Sequence, residues 1–235
     1  MIEVVDGMAP GVRTLLLDRP AARNALTTAM ADLLADAVTE AAADTDVRAL
    51  VIATSGEDFG VGADRDEELD AAGRARRMRA FSRLHRAVTD APKAVVAAVE
   101  GRCVAAAAEL AAACDLRVGA QGSCFRFPGA EMGIPIGAAR LIGVVGPAAA
   151  KDLVLTSRWI RAEEALRLGL LQRLVPRGGA RKAAVEVAAQ TARADPAIAA
   201  FLKRQLQAFC GDLERIETER RTLDAFFGPR GEQVP

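Results

Sequence analysis

Residues 94–118 read AVVAAVEGRCVAAAAELAAACDLRV, and this stretch decides the fold. Ala94–Val99 is a continuous run of small and β-branched apolar residues, the pattern of a strand covered on both faces. Gly101 ends it. From about Ala105 to Ala113 almost every residue is alanine, a strong helix former, and Leu116-Arg117-Val118 returns to strand character. A strand, a helix apolar on every side and a second strand within 25 residues predict an α/β core whose helix is buried. Within that helix Glu109 is the one charged side chain. A buried carboxylate either finds a partner, here Arg102 or Arg117, or takes a raised pKa that suits it to proton transfer.

The same alternation extends outward in both directions. Ile2–Val5 and Val12–Leu17 read as strands around a Pro10-Gly11 turn. Thr27 can cap a helix running to about Ala43, Ala49–Ala53 is a second buried strand, and a loop covers 54–66. An arginine-rich amphipathic helix follows, about Ala71 to Thr89, ended by Pro92. Its His85, the only histidine, lies among arginines, where a solvated or interface role is expected. Helical character resumes near Ala138. Beyond Gly178-Gly179 the pattern is helices alone, about 181–193, 196–209 and 212–226. This predicts a core of residues 1–180 and a helical region of 181–235.

Bulk properties narrow the function. With 31 basic and 31 acidic residues in 235 there is no field to draw the chain to nucleic acid or to an anionic membrane. The longest apolar stretch, Val104 to Leu116, is too short to span a bilayer and contains two acids. The first residues lack the basic-then-apolar pattern of a signal peptide. Four cysteines without CxxC spacing and one histidine argue against a metal site or a disulfide framework, and fit a reducing cytoplasmic location. Phe59-Gly60-Val61-Gly62-Ala63-Asp64 places glycines about small residues, a turn whose amides can face inward on an oxyanion.

These segments together resemble the crotonase (enoyl-CoA hydratase/isomerase) superfamily. Leu17-Asp18-Arg19-Pro20-Ala21-Ala22-Arg23-Asn24-Ala25-Leu26 resembles its LNRPxxxNAL opening, and 49–64 resembles xVVLTGxGxxFxAGAD. Residues 91–101 resemble xxKPVIAAVNG, 109–117 CELALACDLR, and 155–170 LTGRxIxAEEALxLGL. The order is collinear over about residues 2–206. The resemblance implies a ββα spiral core that binds acyl-CoA, followed by a helical trimerisation region, with trimers that can pair into hexamers. It implies that the backbone amides of Ala63 and Ala106 form the oxyanion hole and that Glu109 is the acid/base. Arg23, Ala25, Ala63, Asp64 and Arg65 would lie along coenzyme A, which enters as part of the substrate rather than as a resident cofactor.

The sequence departs from that pattern in three places. Alanines at 105–108 replace the glycine run before the glutamate. The donors survive if φ stays negative, whereas a positive φ carries a steric cost. The second catalytic glutamate, expected after Pro128, is Gly129, which leaves Glu131 as a candidate substitute through a shifted loop. The terminal helix pattern is missing after Phe226-Phe227-Gly228-Pro229, so part of the cover over the site is expected to be absent or rebuilt. Three functions follow: an enoyl-CoA hydratase/isomerase-like enzyme (lyase or isomerase) using Glu109, a non-catalytic acyl-CoA binder, and a structural subunit with a collapsed pocket.

Overall fold

The computed structural model describes residues 1–227; Gly228 and Pro229 of the C-terminal departure, and the rest of 228–235, lie outside them. Nine strands and eight helices alternate along the described chain. β1 (Ile2–Ala9) and β2 (Val12–Leu17) form an antiparallel hairpin. β3 (Ala49–Thr54), β4 (Ala94–Val99), β6 (Leu116–Ala120) and β9 (Arg173–Val175) add to β2 in parallel, giving one sheet in the order β1-β2-β3-β4-β6-β9. A smaller sheet joins β5 (Arg102–Val104), β7 (Cys124–Arg126) and β8 (Ile160–Arg161). The chain first crosses from the large sheet to the small one between β4 and β5, and α3 with Glu109 follows directly.

Helices cover both faces of the large sheet, which is why β3 and β4 read as unbroken apolar runs. On one side are α1 (Thr28–Ala43), capped by the Thr27 side chain, and α2 (Ala71–Asp90). With them packs α3 (Ala106–Ala113), whose residues 107–113 are all buried. On the other side lies α6 (Ala180–Thr191), whose Ala184, Val185 and Ala188 pack with Val51, Val96 and Val118. The first helix after residue 180 is thus part of the core, and chain pattern and packing change at different points.

α4 (Ala138–Thr156) is bent where Pro147 follows Gly146, which leaves helical geometry at φ 78°. α5 (Ala162–Arg167) leads into β9. α7 (Pro196–Cys210) buries only Ala200 and leaves Ile198, Phe201, Leu202, Leu206 and Phe209 exposed. α8 (Asp212–Phe226) turns back and packs against α4 and α2. No described helix is long and apolar enough to cross a membrane.

Candidate active site

The loop after β3 is stitched to two neighbours. Gly60 forms a parallel bridge to Cys103 of β5, and Ala63 forms one to Leu26. In the second bridge Leu26 makes both bonds, donating to the Gly62 carbonyl (2.8 Å) and accepting from the Asp64 amide (2.8 Å). The amide of Ala63 itself is left free of a backbone partner. Ala106 opens α3, so its amide is one of the unpaired first-turn donors. The loop approaches the start of α3 closely because Gly62 lacks a side chain: a Cβ there would stand 2.9 Å from the Ala105 methyl and 3.7 Å from the Ala106 nitrogen. An unpaired amide at a helix N-terminus is a donor suited to an anion.

Ala105 sets the direction of the second amide. Its φ is +50° with ψ −123°, so the condition of a negative φ fails at this residue. The conformation is pinned at both ends, since the Ala105 amide donates to the Arg126 carbonyl (3.0 Å) and its carbonyl accepts from the Glu109 amide (2.9 Å). A non-glycine residue here stores on the order of 1–3 kcal/mol of strain. The turn that a glycine makes freely is kept, at that cost.

One turn into α3, Glu109 is 3% exposed, and its Oε2 has no hydrogen-bond partner. Neither expected cation reaches it. Arg102 is at the surface near Asp58, and Arg117 gives its guanidinium to the carbonyls of Leu170, Ala111 and Cys114. The cation that approaches is Arg140 of α4, with Nη1 4.0 Å from Glu109 Oε2. Arg140 is engaged elsewhere, by Glu219 of α8 at 3.1 Å. Burial first, and the negative charge of Glu219 second, push the Glu109 carboxyl up to about 8 against the pull of Arg140. At neutral pH it is mostly protonated. Gly137 makes room for it, since a Cβ there would lie 2.9 Å from Glu109 Oε1.

His85 corrects the sequence expectation. It is buried, 2% exposed, with an unpartnered Nε2. Burial and the nearby Arg140 charge hold it well below its ordinary pKa, so it stays neutral. The reason is its place on α2: Phe81, Leu84 and Val88 share its face and are buried, while the arginines face away.

Glu131 is not brought to Glu109. Its side chain is exposed and pairs with Arg126. Nor does the turn at Gly129 have space for a side chain, because a Cβ would meet the Ile136 carbonyl oxygen at 2.6 Å. Of the residues expected along coenzyme A, Arg23 and Arg65 are exposed and free to meet an anion. Arg23 lines a polar crevice of about 530 Å³ with Arg102 and Arg177. Ala25 and Asp64 are buried and committed internally. The Ala25 carbonyl and the Asp64 carboxylate both accept from Arg19 Nη1, at 3.1 and 2.5 Å. Asn24, buried at φ 54°, ties this loop to the Ser55 and Asp58 carbonyls. Arg140 and Glu219 escaped the sequence reading. A signal existed for Glu219, which stands between Ile216 and Leu223 on the apolar stripe of α8.

Comparisons with known proteins agree with this fold. Residues 7–227 match the enoyl-CoA hydratase/isomerase family model. A 2,3-dehydroadipyl-CoA hydratase of Escherichia coli K12 is 33% identical over 214 residues, spanning 88% of this chain and 82% of that protein. The crystal structure of an enoyl-CoA hydratase/isomerase from Xanthobacter autotrophicus Py2 superposes with a TM-score of 0.88 at 26% identity, covering 100% of this chain and 88% of the other. That of an enoyl-CoA hydratase from Bacillus anthracis gives 0.84 at 25% identity, covering 99% and 98%. The two-sheet α/β core and its likeness to these solved structures define a crotonase-fold protein. The chain belongs to the enoyl-CoA hydratase/isomerase family.

Proposed function

We propose that the chain binds a coenzyme A thioester with its carbonyl oxygen between the amides of Ala63 and Ala106, and that Glu109 moves a proton on the acyl chain. The observation that carries this reading is the buried Glu109 carboxyl, pushed up to about 8, one helical turn from the unpaired amide of Ala106. Amides so placed stabilise the enolate oxygen formed when a proton leaves C2, and each donor contributes about 10²–10³ in rate. A carboxylate of raised pKa is the stronger base for that proton. The same group, now protonated, can return it at C2 or C4. One carboxyl therefore suffices for an isomerisation. Addition of water across the double bond needs a second proton carrier, and neither Gly129 nor Glu131 supplies one.

Arg23 and Arg65 would meet the phosphates of coenzyme A. The apolar face of α7 suits association of copies into trimers. The test is turnover of 2-enoyl- and 3-enoyl-CoA thioesters of several chain lengths by the protein and by Glu109→Gln. Equal rates in both would sink the acid/base role. The absence of a second proton carrier favours one further reading, a binder without turnover, and calorimetry with acyl-CoA separates the two. Heat of binding without conversion of any thioester would establish the binder.

A further inference from the structure

Glu219 comes from the far end of the chain and yet has the best-satisfied carboxylate near the site. Its Oε1 accepts from Arg140 Nη1 (3.1 Å), and its Oε2 accepts from the amides of Gly137 (3.0 Å) and Ala139 (3.2 Å) at the start of α4. Its side chain is 8% exposed. Three donors, one of them cationic, and a helix N-terminus satisfy both of its oxygens. With both oxygens committed to structure, Glu219 is not a stand-in for the missing second acid.

Its effect falls on Arg140. The guanidinium lies between two buried carboxyls and sits closer to Glu219, at 3.1 Å against 4.0 Å for Glu109. A single cation between two acids can neutralise one of them. The choice is made by the α4 amides, which add two bonds on the Glu219 side and none on the other. The remaining groups facing Glu109 offer no countercharge. From α2 comes neutral His85, and from β5 comes the buried Cys103 thiol, which burial keeps protonated. Gly137 presents only backbone.

We propose that Glu219 is a positioning residue for Glu109. By claiming Arg140 and the N-terminus of α4, it withholds the countercharge from Glu109 and so selects the proton form in which that carboxyl meets substrate. The inference builds on the role of Glu109 in the reading above, but it concerns a property of the free protein. The helix at the end of the described chain thus tunes a carboxyl in the middle of the core.

The experiment follows glutamate side-chain carboxyls by ¹³C NMR over pH 4–10 in the full chain, with Glu109→Gln assigning the resonance of interest. The wild type is expected to show one carboxyl titrating near 8, absent from Glu109→Gln. In Glu219→Gln, Arg140 turns to Glu109, and that titration moves down by about one pH unit or more. An unchanged midpoint overturns the proposal. Should Glu219→Gln fail to fold, Arg140→Gln reads the same linkage from the other side. Removing the cation must raise the Glu109 midpoint, and no change there also overturns it. If the midpoints move as expected while no enoyl thioester turns over, the positioning role stands and the proposed reaction falls. If turnover is present and the midpoints do not move, the reverse holds.

Discussion

Two glutamates have side chains largely withdrawn from solvent, 4% and 8% exposed, and quite different surroundings. Glu109 sits in α3, a helix apolar on every side, and its Oε2 finds no donor. Glu219 sits in α8, a helix rich in surface charge, and it is met by a guanidinium and two amides. Burial raises the Glu109 carboxyl. What separates the two acids is the supply of N–H groups, and that supply depends on which helix N-terminus each carboxyl faces. Glu109 lies within the first turn of its own helix and its Oε2 takes no bond from the amides there, whereas Glu219 meets the start of another helix. Charge state here follows the donors that surround a carboxyl, and depth contributes only the penalty that those donors must offset.

The comparison can be broken most sharply at Glu109. Glu109→Gln should lower turnover of enoyl-CoA by about 10²–10⁴, read as kcat at saturating substrate. For proton removal by the carboxylate, wild-type kcat/KM should rise with pH through about 8 and level off above it. The same change should stabilise the fold in alkaline solution. A carboxyl raised above its unfolded value is at full stability below about 4.5 and loses it as the pH climbs towards 8. Urea midpoints of Glu109→Gln and wild type should therefore diverge from pH 5 to pH 9, with the variant ahead by on the order of 3 kcal/mol at the upper end.

At the other acid, Glu219→Ala should cost about 3 kcal/mol in urea denaturation at pH 7, because it leaves two amides without an acceptor and deprives Arg140 of its closer partner. A loss below about 1 kcal/mol would mean that water replaces the carboxylate and that the contrast is weaker than drawn. Gly137→Ala comes next, at about 2 kcal/mol, since φ +110° disfavours a side chain and the new methyl presses on Glu109. Ala105→Gly should relieve strain and raise the melting temperature, by an equivalent of about 1 kcal/mol at most, while leaving the Ala106 donor in place. Smallest of all is Glu131→Gln. An exposed ion pair with Arg126 should change stability by less than about 0.5 kcal/mol and leave the enoyl-CoA rate unaltered.

Much of this was legible in the sequence. The apolar runs at 49–54 and 94–99 are strands of the large sheet, and the Thr27 cap starts α1 where the spacing places it. Strands β5, β8 and β9 were not legible, since two or three residues carry no periodicity and exist only through their partners. The site divides along the same line. Glu109, Gly62 and the α3 amides belong to continuous motifs. Arg140 and Glu219 meet across 79 residues of chain, and each sits in a helix whose other charges face solvent. His85 was hidden by its arginine neighbours, although its spacing from Phe81 and Val88 marks the buried face.

That separation has a consequence for folding. The three donors to Glu219 lie 79, 80 and 82 residues upstream, so the bonds close a long loop, while the β1–β2 hairpin closes across a tight turn. Long closures are entropically dearer, and their contacts are made after the local ones. The hairpin, the strands and α3 can be in place while Arg140 still has Glu109 as its nearest acid. The docking of α8 then draws the cation away. The resting charge of the deepest carboxyl is in this sense one of the last properties the chain acquires as it folds.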